Sequence, residues 1–182
     1  MRRDALQNRE YLLDTARSLV SGDRAPTLNE LARHAGLGVA TVYRHFPDAD
    51  ALATALMERP LKQLQALCER AMREPDPSAA LRAHFIGVLE IALAHPIAAR
   101  LIYAPETTSE PVQHLMNEMR AAAQQLMTRA RRAKAIRSSI TGEDICHLLH
   151  GVHAAALAAE NPRSAAQRYA EIVLAGLAPP QR

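Results

Sequence analysis

The sequence predicts an all-α fold of about nine helices, and three observations predict it. Alanine and leucine dominate a chain of 182 residues that is 48% hydrophobic, with only seven glycines and no β-branched runs. Apolar residues recur at i, i+3, i+4 and i+7 through most of the length, the period of a helix with one buried face. Prolines and capping residues then cut this pattern into segments of helical length. Internal repeats and low-complexity tracts are absent.

The first helix is read from Arg3 to Val20, with Leu6, Leu13, Ala16 and Val20 as its stripe and Ser21-Gly22 as its stop. Arg2 and Arg3 form a short basic arm before it. Thr27, followed three residues later by Glu30, is a capping box that starts a second helix at Leu28, with Leu28, Leu31, Ala32 and Ala35 inward. Gly36 ends that helix, and a third runs from Val39 to Phe46 and stops before Pro47. In the third helix Val42 and Phe46 face inward, leaving Val39, Ala40, Thr41, Tyr43, Arg44 and His45 outward.

Asp48 caps a fourth helix carrying Leu52, Leu56, Leu64 and Leu67 toward Met72. Pro60 removes its bond to the Leu56 carbonyl, which predicts a kink or a break there and a hinge between two halves of the chain. Asp76-Pro77 opens the fifth helix and His95-Pro96 a short sixth ending at Tyr103, followed by a loop from Pro105 to Ser109. Pro111 starts the seventh, to about Lys134. Thr141-x-x-Asp144 caps the eighth, to Glu160, and Asn161-Pro162 opens the ninth, to about Leu177.

The second and third helices make a helix, tight glycine turn and helix. A helix with small exposed residues in its first turn can enter the DNA major groove, while Tyr43, Arg44 and His45 at its far end reach phosphates. A helical hairpin without a DNA role is the alternative that these features alone leave open.

The run Leu-Ala-Arg-His-Ala-Gly-Leu-Gly-Val-Ala-Thr-Val-Tyr-Arg-His-Phe-Pro, residues 31–47, resembles the DNA-binding domain of tetracycline-repressor (TetR) family transcriptional regulators. The resemblance covers about the first 58 residues, and the all-helical remainder is similar in layout. It implies a helix-turn-helix DNA-binding domain at residues 1–58 and a helical effector-binding and dimerisation domain at residues 59–182. It also implies a homodimeric repressor on double-stranded DNA at a palindromic operator, released by a small-molecule effector. The DNA-contacting set is then Thr27, Asn29, Gly38, Val39, Ala40, Thr41, Tyr43, Arg44 and His45. One departure stands out. Family members usually carry a phosphate-contacting lysine in the first turn after Phe-Pro, and here that position is Ala49, between Asp48 and Asp50.

Charge supports DNA binding only locally. The chain has a net charge of +3, and residues 1–60 hold eight Lys/Arg against eight Asp/Glu, so attraction rests on Arg2, Arg3, Arg33, Arg44 and His45. Arg129, Arg131, Arg132, Lys134 and Arg137 form the densest basic run. They sit at a helix C-terminus, where the macrodipole favours solvated cations, with a second DNA surface as the alternative.

Cys68 and Cys146 lie far apart, with neither a secretory leader nor an apolar run judged long enough to cross a membrane, which predicts a cytoplasmic protein with reduced thiols and no membrane partner. Cys146, His150 and His153 fall at i, i+4 and i+7 on one helix face, so a helical metal- or redox-sensing protein is the rival function. No carboxylate stands near them in the pattern to act as an outer partner, and no cofactor is expected. Glycine-rich phosphate loops, a Gly-x-Ser-x-Gly elbow and recurrent Glu-x-x-His arrays are all missing, so no catalytic set is assigned.

An effector would lie among the fourth to seventh helices, in a Leu, Ala and Met lining oriented by scattered polar groups: His84, Arg100, Tyr103 and His114, with His150 and His153 beside them. The dimer is assigned to the last two helices. Tyr169, Ile172, Val173, Gly176 and Leu177 form one stripe, and Ile145, Leu148, Leu149 and Val152 the matching one.

Overall fold

The computed structural model describes residues 2–20, 24–103 and 110–179, the side chains of 2–6, 100, 101, 110 and 111 excepted. Among these residues there are nine helices: α1 (Arg2–Leu19), α2 (Leu28–Ala35), α3 (Val39–His45), α4 (Ala49–Arg73), α5 (Pro77–Ala94), α6 (Pro96–Tyr103), α7 (Glu110–Arg132), α8 (Gly142–Leu157) and α9 (Pro162–Leu177). The Ser21-Gly22 stop and the loop from Pro105 to Ser109 lie outside the described residues, as do the side chains of Arg2, Arg3 and Leu6. The chain divides into two units, Met1–Leu61 with Pro96–Ala98, and Lys62–His95 with Ala99–Arg182.

Local chemistry explains the helix ends. The Thr27 hydroxyl accepts from the Glu30 N–H at 3.2 Å while the Glu30 carboxylate accepts from the Thr27 N–H at 2.8 Å, the reciprocal cap expected from the sequence. These bonds hold the Glu30 carboxyl at about 2, chiefly through the Thr27 backbone N–H. Thr141 and Asp144 repeat the arrangement on α8, and it lowers the Asp144 carboxyl for the same reason. Gly36 closes α2 with φ of +65°, a left-handed conformation that a side chain resists. Asp48, Asp76 and Asn161 each accept from a backbone N–H in the first turn of α4, α5 and α9.

Two sequence expectations change here. α4 is a single helix through Pro60, so the break does not occur. The Pro60 ring is among the fully buried side chains, and its packing offsets the missing hydrogen bond. α8 ends at Leu157 rather than Glu160, with Ala158 as its cap.

The first unit closes over Leu12, Leu13, Ala16, Leu28, Leu31, Val42, Phe46 and Leu52. Val42 and Phe46 are 0% and 1% exposed, which fixes the rotation of α3 about its axis. Arg9 of α1 reinforces this packing, lying 5.8 Å from the Phe46 ring centroid and 3.1 Å from the Glu58 carboxylate. The Tyr11 hydroxyl donates to the Ala35 carbonyl at 3.3 Å, tying α1 to the end of α2.

The second unit is built around α5, which buries Ala80, Leu81, Phe85, Val88, Leu89 and Ala92. α5 is long and apolar enough to cross a membrane by length and composition, with a mean hydropathy of 1.2 over 18 residues, contrary to the sequence reading. Its apolarity has a local explanation, because it is the central helix of a helical core. Its charged residues also find partners: Arg82 pairs with Glu171 of α9, and Glu90 accepts from Gln167. Close approach to α4 falls at Gly87, where a Cβ would meet Leu67 Cδ1 at 2.6 Å.

The basic run at the end of α7 is solvated only in part. Arg129 is half-buried and donates to the carbonyls of Ala71, Met72 and Glu74 at 3.4, 3.1 and 2.5 Å, so it closes the C-terminus of α4. Arg131 donates twice to the Ile140 carbonyl, at 3.0 and 2.7 Å, and Arg137 donates to that of Gly176. Only Arg132 and Lys134 of this run remain exposed without such bonds among the described residues. Three of the five cations are engaged by backbone, and Arg132, Lys134 and Arg137 are exposed.

Candidate DNA-contacting helix and candidate ligand cavity

With Val42 and Phe46 locked inward, α3 presents Val39, Ala40, Tyr43 and Arg44 to solvent, Val39 and Tyr43 each 46% exposed. Val39 and Tyr43, one turn apart, thus share one exposed face of α3. Gly38 is the N-cap of α3 with no side-chain cap, leaving the first turn free of bulk. Thr41 is half-buried, and Arg44 folds back along its own helix to the Ala40 carbonyl at 3.3 Å and the Thr41 hydroxyl at 3.1 Å. His45 is half-buried beside Phe46, the ring centroids 6.4 Å apart. Asn29 is exposed on α2. Thr27 is exposed as well, but its hydroxyl is taken up by the cap with Glu30. Arg33 is exposed on the same helix.

The second unit contains a cavity of about 600 Å³, within the range of small-molecule sites. Its buried lining includes Leu64 and Cys68 of α4, Leu81, Phe85 and Val88 of α5, Met116, Met119, Leu126 and Met127 of α7, and Ile145 and Leu149 of α8. The exposed lining residues, Arg120, Gln124, Thr128, Glu143 and Cys146, all come from α7 and the start of α8, which puts the opening between those helices.

His84 of α5 lines the cavity and makes no hydrogen bond among the described residues; its Nδ1 is sealed from solvent without a partner. Burial lowers the imidazole to about 4, so the ring is neutral at pH 7. Burial likewise raises the Cys68 thiol.

The polar residues singled out in the sequence divide into three groups. His84 lines the cavity. Tyr103 stacks on His150 at 4.7 Å between centroids with an interplanar angle of 10°, and lies 5.4 Å from His153, forming an aromatic cluster between α6 and α8. Burial, and then Cys146, raise the Tyr103 hydroxyl, which has no partner among the described residues. His153 is buried and hydrogen-bonded to the Ala92 backbone; burial and then His150 lower it. His114 belongs elsewhere, exposed on α7 and 3.5 Å from Glu118, and the side chain of Arg100 lies outside the described residues.

The metal reading of Cys146, His150 and His153 fails on geometry. No three His, Cys, Asp or Glu side chains among the described residues converge as a metal site would require. One face of a helix gives i, i+4 and i+7, but His153 turns into the core and bonds the Ala92 backbone while Cys146 and His150 stay exposed. Missed in the sequence were Cys68, Arg120, Gln124, Thr128, Arg131 and Glu143, whose convergence depends on how three helices pack.

The stripes assigned to a dimer also change. Ile145, Leu149 and Val152 are buried within the unit, as is Leu177, while Tyr169 packs against the Ala156, Ala165 and Ala166 cluster. The small and apolar residues that α8 and α9 leave outside are Gly151, Ala154, Ala155 and Leu157 on one and Ile172, Ala175 and Gly176 on the other, among exposed polar side chains such as His147, His150, Gln167 and Arg168. Leu157 is 58% and Ile172 65% exposed, and a Cβ on Gly151 or Gly176 would meet nothing within 4 Å.

Residues 12–56 match the model of the bacterial regulatory proteins of the tetR family, and residues 76–179 match that of the C-terminal domain of SbtR-like transcriptional regulators. An HTH-type transcriptional regulator of Staphylococcus aureus is 35% identical over 63 residues, which is 34% of this chain and 34% of that protein. The chain thus aligns to about a third of the length of such relatives. A TetR transcriptional regulator from Streptomyces coelicolor has the same fold, with a TM-score of 0.62 and 29% identity over 95% of this chain and 99% of that one. AibR, solved with isovaleryl coenzyme A and operator DNA, is similar in fold at a TM-score of 0.71 and 16% identity, covering 95% and 99%. The helix-turn-helix, the nine-helix layout and both matched domains agree, and the chain belongs to the TetR family of transcriptional regulators.

Proposed function

We propose that this protein is a cytoplasmic, homodimeric repressor that binds a palindromic operator through α3 and is released by a small molecule occupying the α4–α8 cavity. The observation that carries the reading is the exposed face of α3, small at its first turn and bearing Tyr43 and Arg44 beyond it, on a helix whose rotation is fixed by buried Val42 and Phe46. Val39 and Ala40 lack hydrogen-bonding side chains, so they offer apolar contact to thymine methyls, and sequence is read sparsely. Tyr43, and Arg44 once its guanidinium swings off Thr41, supply phosphate contacts that set register. Thr41, His45, Asn29 and Gly38 complete the surface, with Thr27 acting as the cap that orders α2.

The exposed faces of α8 and α9 serve as the self-association surface, their glycines and alanines allowing close helix approach around Leu157 and Ile172. A twofold dimer places two α3 helices on half-sites about one helical turn apart or a little more. α4 carries residues of both units, so a ligand held against Leu64 and Cys68 has a continuous helix through which to act on the DNA-binding unit. AibR, of the same fold, was solved with isovaleryl coenzyme A and operator DNA, so a protein of this fold takes both a small molecule and DNA.

The test is titration of Tyr43→Ala against an operator and several single-base variants of it. Affinity falls on all of them by a similar factor, because a phosphate contact carries no base information. A loss concentrated at one base pair assigns Tyr43 to base reading and refutes the scheme.

A further inference from the structure

We propose that the cavity takes an uncharged, mainly aliphatic ligand of medium length whose hydroxyl or carbonyl group bonds to the imidazole of His84. The assignment rests on the cavity being the effector site of the proposed repressor, and it specifies what that effector is chemically.

The lining excludes other classes by its composition. Phe85 and the small imidazole of His84 are the aromatic rings in the described lining, so a flat polycyclic ligand finds little surface to stack on. Met116, Met119 and Met127 instead offer a flexible, polarizable wall that adapts to an alkyl chain. A chain of roughly eight to ten carbons at liquid-like density fills about half of the 600 Å³, which leaves room for branching or a ring closure.

The polar inventory fixes the charge. None of the buried lining side chains carries a cation. Arg131 is half-buried, with Nε and one terminal nitrogen committed to the Ile140 carbonyl, and Arg120 is exposed and donates to Asn117, so both guanidinium groups belong to the rim rather than to the buried wall. A carboxylate drawn past that rim, among the buried Leu, Met and Phe side chains, would lose its water without gaining a counter-ion.

His84 supplies a different partner. It lines the cavity and is hydrogen-bonded to nothing among the described residues; Nδ1 is sealed away, so the ligand meets the other ring nitrogen, Nε2, which donates in one neutral tautomer and accepts in the other. A buried polar group left without a partner is costly, and a ligand that supplies the bond recovers that cost. An alcohol satisfies either tautomer and a carbonyl satisfies one.

Calorimetric titration of the full-length protein at pH 7.5, without DNA, decides the matter with three probes of equal chain length: octan-1-ol, octan-2-one and octanoate. The alcohol and ketone bind at least about tenfold more tightly than the carboxylate. His84→Phe, which keeps an apolar ring, weakens the alcohol by about tenfold and leaves octanoate unchanged, and His84→Gln restores part of the alcohol affinity. Octanoate binding as tightly as octanol, no binding of any probe, or octanol affinity equal in His84→Phe and the unmodified protein overturns the proposal. Octanol that binds through His84 but leaves operator occupancy unchanged upholds the ligand class and refutes effector release instead.

Discussion

Replacing Arg129 by leucine removes the guanidinium that closes the C-terminus of α4 while keeping an apolar stem of similar reach. Three carbonyls, those of Ala71, Met72 and Glu74, then lose a charged donor at 3.4, 3.1 and 2.5 Å. A bond to a charged group contributes about 1.5 to 3 kcal/mol, but the longest of the three is marginal and the guanidinium is half-buried, so the sum is not threefold. A loss of about 2 to 4 kcal/mol follows, which for a chain of this size lowers the thermal midpoint by roughly 5 to 15 °C. Arg132→Leu removes the same charge from the same helix end without breaking such bonds, so it costs under about 1 kcal/mol through the macrodipole alone. Urea unfolding of both variants at one protomer concentration separates the two effects, because self-association makes the midpoint concentration-dependent. Equal losses in Arg129→Leu and Arg132→Leu would show that the clamp contributes only charge, and the packing argument for α7 against α4 would fall.

Other expectations concern assembly, DNA and pH. Ile172→Asp, at a site 65% exposed in the protomer, leaves the protomer folded but shifts sedimentation toward monomer and weakens operator binding with it; an unchanged dimer would place the interface elsewhere. Ala49→Lys raises affinity on every DNA sequence and steepens the salt dependence by about one unit, since it puts a cation in the first turn of α4; an unaltered slope in salt titrations would remove that turn from the DNA surface. His84 is held at about 4 against an ordinary value near 6.5, so the unfolded chain binds more protons between those values. Its contribution is therefore fully present above pH 6.5 and declines as pH falls toward 4, by about 3 kcal/mol in total. His84→Phe lacks this component, and a difference in stability between the two proteins that stays constant from pH 7 to pH 4 would contradict the burial of the imidazole.

Local signals determined much of this protein before any packing was known. Thr27 with Glu30, Gly36, Asp76-Pro77 and Thr141 with Asp144 set helix ends through bonds made within four residues, and such bonds are legible because both partners lie in one stretch of chain. Val42 and Phe46, one turn apart, likewise settled which face of α3 turns inward. Tertiary structure decided the rest. Whether Arg129 meets solvent or the carbonyls of α4, 55 residues or more away, has no trace in its neighbours. The apolar stripe of Ile145, Leu149 and Val152 reads equally well as a core face or a subunit face, and packing assigned it to the core, leaving Gly151, Leu157 and Ile172 outside. His84 and His114 look alike in sequence, yet one lines a cavity without a partner and the other pairs with Glu118 on an open helix face, because burial is a property of the assembled helices rather than of any one of them.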